Sequence, residues 1–134
     1  MLPIKIKEHI YWIGVNDHKT DLFEGLWPIT QEGVSYNSYL IDDQKKAIID
    51  LANESAANDI LDQISTITDP AGLDYIIFNH IEPDHSGALR ILLHKAEKAV
   101  ILASERGRQM LEAFYGLGER VRVVRDGETL PLGG

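Results

Sequence analysis

Asp74-Tyr75-Ile76-Ile77-Phe78-Asn79-His80-Ile81-Glu82-Pro83-Asp84-His85-Ser86-Gly87-Ala88-Leu89-Arg90-Ile91-Leu92-Leu93 reads as a strand, a turn and a helix in succession. The apolar run 74–79 predicts a buried strand, and the run from Ser86 predicts a helix over 86–95. Between them stand four potential metal ligands, His80, Glu82, Asp84 and His85. The C-terminal end of a strand is where α/β folds place their chemistry. A strand followed by a helix also predicts a parallel neighbour reached by a right-handed crossover.

Downstream, the alternation continues. Strands are expected at 99–103 and 121–124, with a helix at 104–116 between them, capped by Ser104 and stopped by Gly116 and Gly118. Upstream, Ile60, Leu61 and Ile64 recur at helical spacing, so a helix is expected over 54–66 with Asn53 as N-cap. The first part of the chain is strand-rich. Residues 10–14, 34–41 and 46–50 carry aromatic and β-branched side chains, and Asp42-Asp43-Gln44-Lys45 is a polar turn that makes the last two a hairpin. The segment 17–33, with Gly25 and Trp27-Pro28, lacks periodicity and reads as a long loop of the kind that carries function. After a turn at Asp126-Gly127, Glu128 to Leu132 looks like the start of another strand. The expected fold class is α/β (α+β), a mixed sheet with an antiparallel start, a parallel continuation and flanking helices.

A chain of 134 residues suits one domain, and 44% hydrophobic with 25% charged residues is ordinary for a globular protein. There is no cysteine, so any metal must be held by imidazole and carboxylate rather than thiolate. A net charge of −8 argues against nucleic acid as a partner. No apolar run is long enough to span a membrane, and Met1-Leu2-Pro3-Ile4-Lys5 does not resemble a signal peptide, so cytoplasmic localisation is expected.

His80, Glu82 and Asp84 alternate, which lets their side chains point the same way from an extended loop stiffened by Pro83. The blander reading makes Asp84 the N-cap of the following helix and the histidines incidental. Four potential ligands in six residues directly after an apolar strand favour the metal. Imidazole with several carboxylates suits iron or manganese, and four ligands can divide between two metals about 3.5 Å apart.

His80-Ile81-Glu82-Pro83-Asp84-His85-Ser86-Gly87 resembles the His-x-Glu-x-Asp-His motif of the flavodiiron proteins. Tyr11-Trp12-Ile13-Gly14-Val15 with Asp17, Gly33 to Ile41, Lys46 to Asp50 and Val124 to Gly127 are also similar to that family, so the resemblance covers nearly the whole chain. It implies the first half of a metallo-β-lactamase-like αββα sandwich. It also implies a non-haem diiron site that reduces dioxygen or nitric oxide with electrons from FMN, supplied by a rubredoxin-like or other donor. The family forms homo-oligomers that bring the flavin of one subunit near the diiron site of another. By the same resemblance His80 and Glu82 bind one iron and Asp84 the other. His85 binds or sits beside the metal, and Glu24 lines the pocket. Ordinary zinc hydrolases of this fold carry His where Glu82 stands.

The family's remaining ligands, another His, a bridging Asp and a final His, have no counterpart here, nor does its flavodoxin-like domain. Residues 1–134 are therefore expected to be an N-terminal part of the domain, inactive alone and metal-free or weakly metallated. Two other readings remain at this level: a metal-dependent hydrolase of the same fold, and a non-catalytic assembly module. His94 lies nine residues after His85, on the opposite side of a continuous helix at about 100° per residue, and cannot substitute. His9 and His18 have no partner spacing.

Overall fold

The computed structural model describes residues 1–133; Gly134, the last residue of the expected domain, lies outside them. In chain order the strands are β1 (Ile4–Lys7), β2 (Ile10–Trp12), β3 (Val15–Asp17), β4 (Leu22–Phe23), β5 (Trp27–Pro28), β6 (Val34–Tyr36), β7 (Tyr39–Asp42) and β8 (Lys46–Ile49). Then follow α1 (Ala57–Ile67), β9 (Tyr75–Ile77), α2 (Pro83–Ser86), α3 (Leu89–Leu93), β10 (Val100–Ala103), α4 (Glu105–Tyr115) and β11 (Val121–Val123). The main sheet has the order β1-β2-β7-β8-β9-β10-β11. It is antiparallel as far as β8 and parallel from β8 to β11, as the change from hairpins to strand–helix alternation predicts.

Register keeps one apolar row inward. Tyr11, Leu40, Ile48, Ile76, Ile101 and Val121 are cross-strand neighbours. Leu40, Ile48, Ile76 and Ile101 are 0% exposed. They share one core with Ile60 and Ile64 of α1, Leu89 and Leu92 of α3, and Leu111 of α4. Burying each such side chain contributes about 1.5–3 kcal/mol. The alternate residues Ile10, Trp12, Tyr39, Ile41, Ile49, Tyr75 and Ile77 lie on the opposite face and remain partly exposed, while Ala47 and Leu102 in the same rows are buried.

The expected strand 34–41 is two strands. β6 pairs with β3 in a separate small sheet, and β7 joins the main one. The break falls at Asn37-Ser38, where polar groups find specific partners. Trp12 Nε1 donates to Asn37 Oδ1 at 2.9 Å, and buried Ser38 donates through Oγ to Asp50 O at 2.8 Å. Within the expected loop 17–33, β4 and β5 pair as a short hairpin.

The helix expected over 86–95 starts earlier and is interrupted. Pro83 occupies the first turn of α2, where its fixed φ and missing N–H are tolerated. Gly87 separates α2 from α3 because a Cβ there would lie 2.6 Å from Glu54 N and 2.7 Å from Pro83 O. The interruption is tied down by Ala88 N donating to Ala52 O at 3.0 Å. No strand forms at Glu128 to Leu132. Pro131 has no N–H to give a ladder. The segment instead returns to the β7–β8 turn, where Lys45 N donates to Leu132 O at 2.8 Å. The expected caps are present: Asn53 Oδ1 accepts from Ser55 N, Ser104 Oγ accepts from Gly107 N, and left-handed Gly116 ends α4.

Candidate metal centre

β8 and β9 run side by side, and their C-terminal ends build the ligand loop. Asp50 follows β8 with φ of +52°, a conformation a short polar side chain tolerates better than most. Its N–H donates to Ile77 O at 2.9 Å. Its Oδ1 accepts from Asn79 N at 2.8 Å and His80 N at 3.2 Å. One carboxylate thus holds the backbone from which the first candidate ligand departs. Asp50→Ala is expected to destabilise the fold by about 1–3 kcal/mol, the scale of hydrogen bonds to a charged acceptor. Asp50→Asn keeps an acceptor and should lose about half of that. Urea denaturation of the two variants checks the order.

The loop brings three of the four predicted ligands together. One ligand atom each from His80, Glu82 and Asp84 lies within 4.8 Å of the others. His80 Nε2 is 3.7 Å from Glu82 Oε2, and both side chains are about half exposed. Asp84 is not an N-cap. Glu82 takes that position, and Asp84 lies in the first turn of α2 with its Oδ1 buried and, among the described residues, without a hydrogen-bond partner. His85 stands slightly apart: its Nε2 is 3.3 Å from Asp84 Oδ2 and its ring meets that of His80 edge-on at 5.0 Å. Its Nδ1 is also buried and unpartnered among the described residues. A buried carboxylate oxygen without a donor is costly unless a cation faces it. The donor set, imidazole and carboxylate with no thiolate, suits iron or manganese. These residues therefore fit a metal of that type.

A pocket of ≈ 400 Å³ opens beside Asp84, lined among others by Thr20, Phe23, Glu24, Tyr36 and Asn53. Glu24 reaches it from the β4–β5 turn with φ of +51°. The wall is fixed from behind by Asp17. Its carboxylate accepts from Lys19 N, Thr20 N and Thr20 Oγ1 at 2.8, 3.1 and 2.5 Å, and from Tyr36 Oη at 3.4 Å. Burial pushes Asp17 up, but the hydrogen bonds from Thr20, Lys19 and Tyr36 outweigh it and hold the carboxyl below its ordinary value. Burial, then the charge and hydrogen bond of Asp17, then the charge of Asp84 push the Tyr36 phenol up to about 12. Because the folded-state value of Asp17 is depressed, its stabilisation is complete above the unfolded carboxylate range and is lost as pH falls through the lower folded value. Asp17→Asn should therefore flatten the decline of stability between about pH 5 and 2. Denaturation midpoints of both forms across that range provide the measurement.

A family model described as ODP family beta lactamase matches residues 34–134. The chain belongs to this family. The ODP-family chain is 33% identical over 132 residues to a nitric oxide reductase of Moorella thermoacetica, covering 98% of this chain and 33% of that protein. It is 31% identical over 134 residues to a rubredoxin-oxygen oxidoreductase of Megalodesulfovibrio gigas, covering 99% and 33%. A flavo di-iron protein from Thermotoga maritima superposes with a TM-score of 0.89 at 38% identity, over 98% of this chain and 34% of that one. A subclass B3 metallo-beta-lactamase from a soil metagenome superposes at 0.75 with 22% identity, which shows the fold alone. The chain spans about a third of the length of the curated relatives it matches. The likeness of residues 80–87 to flavodiiron proteins holds across the whole chain, as does the metallo-β-lactamase-like fold.

The other histidines of the ODP-family chain take no part in the cluster. His94 is exposed at the end of α3, His18 is exposed, and His9 sits in the β1–β2 turn with its Nδ1 2.8 Å from Asp42 O. Asp50, Tyr36 and Ser86 support the site but were not singled out from the sequence. Each acts through a backbone group or a residue far away in the chain, so spacing carries no trace of them.

Proposed function

We propose that residues 1–134 form the first part of the diiron domain of a flavodiiron oxidoreductase that reduces dioxygen or nitric oxide. The observation that carries this reading is the convergence of His80, Glu82 and Asp84 at the C-terminal end of β9, with one Asp84 oxygen buried and unmet. The names of the relatives support it: a nitric oxide reductase, a rubredoxin-oxygen oxidoreductase and a flavo di-iron protein. His80 and Glu82 would hold one iron and Asp84 the second. When bound, the pair of irons supplies electrons and open positions for a small gas.

The chain's own residues do the rest. Asp50 fixes the loop backbone, and Glu82 brings a carboxylate where zinc hydrolases of this fold have imidazole. His85 orients Asp84 or joins the ligands. Thr20, Tyr36 and Glu24 give the adjoining pocket polar groups beside apolar Leu22 and Phe23. FMN on a further domain and a rubredoxin-like donor complete the electron path in this proposal, and the setting is cytoplasmic. Among the described residues no helix is long and apolar enough to cross a membrane.

Homo-oligomers are proposed as well, because the half-exposed face around Trp12, Tyr39, Ile49 and Ile77 is apolar and large apolar patches seek cover. Light scattering of the 134-residue chain at high concentration should give dimers or larger species; a monomer would count against this. Function itself is tested by oxygen and nitric oxide consumption of the full-length protein with reduced flavin. Absence of both activities in an iron-loaded preparation would overturn the reading.

A further inference from the structure

The peptide between the first two ligands is held from the far side of the domain. Ile81 is buried and lies between His80 and Glu82. Its carbonyl accepts from Ser86 Oγ at 2.6 Å, and the same hydroxyl lies 3.1 Å from Glu82 O. Glu82 O also accepts from His85 N and Ser86 N, at 2.8 and 3.0 Å. Ser86 Oγ is therefore the group that fixes the Ile81–Glu82 peptide plane, from which the Glu82 side chain departs. Ser86 is 0% exposed, so no solvent competes for it.

A third neighbour settles the direction of these bonds. Tyr115 Oη lies 2.6 Å from Ser86 Oγ. A serine hydroxyl has one proton, and both carbonyls can only accept. The serine proton goes to the Ile81 carbonyl, so the phenol must donate to Ser86 Oγ. The chain of donors runs from Tyr115 to Ser86 to Ile81. Tyr115 is itself fixed. It is the last residue of α4, its carbonyl accepts from Arg90 Nη2 at 2.6 Å, and the Arg90 guanidinium lies 6.0 Å from its ring centre.

We propose that Tyr115, acting through Ser86, is a positioning residue for the Glu82 carboxylate at the metal centre. It touches no ligand itself. It sets the tilt of one buried peptide and thereby the direction in which Glu82 is presented. Hydrogen-bonded chains of this kind reinforce one another, so loss of the terminal donor weakens the bond to Ile81 as well. The inference rests on the metal-centre reading above.

The test is a metal titration of the full-length protein after metal removal, with cobalt(II) under anaerobic conditions, read by its visible absorption bands. Tyr115→Phe keeps the ring and its contact with Arg90 and removes only the hydroxyl. It should weaken cobalt binding about tenfold, the lower end of the effect of groups that orient ligands, and shift the bands, with the thermal midpoint of the metal-free protein little changed. Ser86→Ala should weaken binding at least as much. The double variant should bind no more weakly than Ser86→Ala alone, because both changes break one chain. Tyr115→Phe binding within twofold of wild type with the wild-type spectrum overturns the proposal, as do strictly additive effects. Should Ser86→Ala not fold, Tyr115→Phe decides alone. A wild-type protein that takes up no cobalt would bring down the metal-centre reading and this inference with it; a wild type that binds, with variants that match it, brings down the inference only.

Discussion

Asp84→Ala in the full-length protein is expected to reduce oxygen and nitric oxide consumption to below about 1% of wild type. Removing groups that merely orient ligands costs about 10–100-fold, and Asp84 is placed here as a ligand itself. The fold should survive. Among the described residues Asp84 Oδ1 is buried without a hydrogen-bond partner, and Oδ2 lies 3.3 Å from His85 Nε2, so truncation removes an unmet polar group. The thermal midpoint of the metal-free protein should therefore stay the same or rise. Glu82→Ala should behave alike in activity, and its half-exposed side chain gives still less reason for unfolding. Turnover assays paired with circular dichroism separate the two effects. An Asp84→Ala variant that keeps a tenth of the activity would contradict the ligand assignment.

The second large effect is expected at Gly14, between β2 and β3. A Cβ there would lie 2.2 Å from Tyr36 O and 2.6 Å from the Trp12 ring. The Tyr36 contact is with backbone, so it cannot be relieved by a rotamer change. Gly14 O also accepts from the buried Gln63 Nε2 at 3.0 Å, which anchors α1 to the same spot. Displacing Gly14 therefore moves β3, β6 and the Tyr36 side of the pocket together. Gly14→Ala should destabilise the protein by about 3 kcal/mol, the upper range for overpacking a close contact. It should also lower metal occupancy under conditions where the wild type is fully loaded. Urea denaturation measures the first consequence. A loss below about 1 kcal/mol would mean that the two strands can part at little cost.

The parallel half of the fold was legible because local signals agree there. Tyr75 to Ile77, Val100 to Ala103 and Val121 to Val123 alternate with helical segments, and around α4 pattern, propensity and punctuation agree: Ser104 caps its start and left-handed Gly116 ends it. The antiparallel half was less legible. Nothing in Val34 to Ile41 shows a break, because Asn37 and Ser38 fit a strand pattern. The break comes from Trp12 and Asp50, which are distant in sequence. The start of α2 was misplaced for a similar reason. Pro83 can open a helix as readily as stiffen a loop, and the choice depends on Glu82 adopting extended geometry. The apparent strand at Glu128 to Leu132 shows that pattern alone cannot tell a ladder partner from a segment crossing to another turn.

The grouping of the candidate ligands was readable in the sequence, and the residues that support them were not. His80, Glu82 and Asp84 stand at alternate positions, so a local pattern suffices to group them. His85 is adjacent in sequence yet outside the mutually close set, because the first turn of α2 rotates it away toward Asp84. Asp50 and Tyr115 lie 30 residues before His80 and 29 residues after Ser86, and only the sheet order and the packing of α4 bring them in.

The central claim is that these residues form part of a diiron centre. Its most direct test is iron analysis of the anaerobically purified full-length protein, wild type beside the Glu82→Ala, Asp84→Ala double variant. The account predicts two irons per polypeptide in the wild type and at most a trace in the variant. Two irons retained in the variant would contradict it.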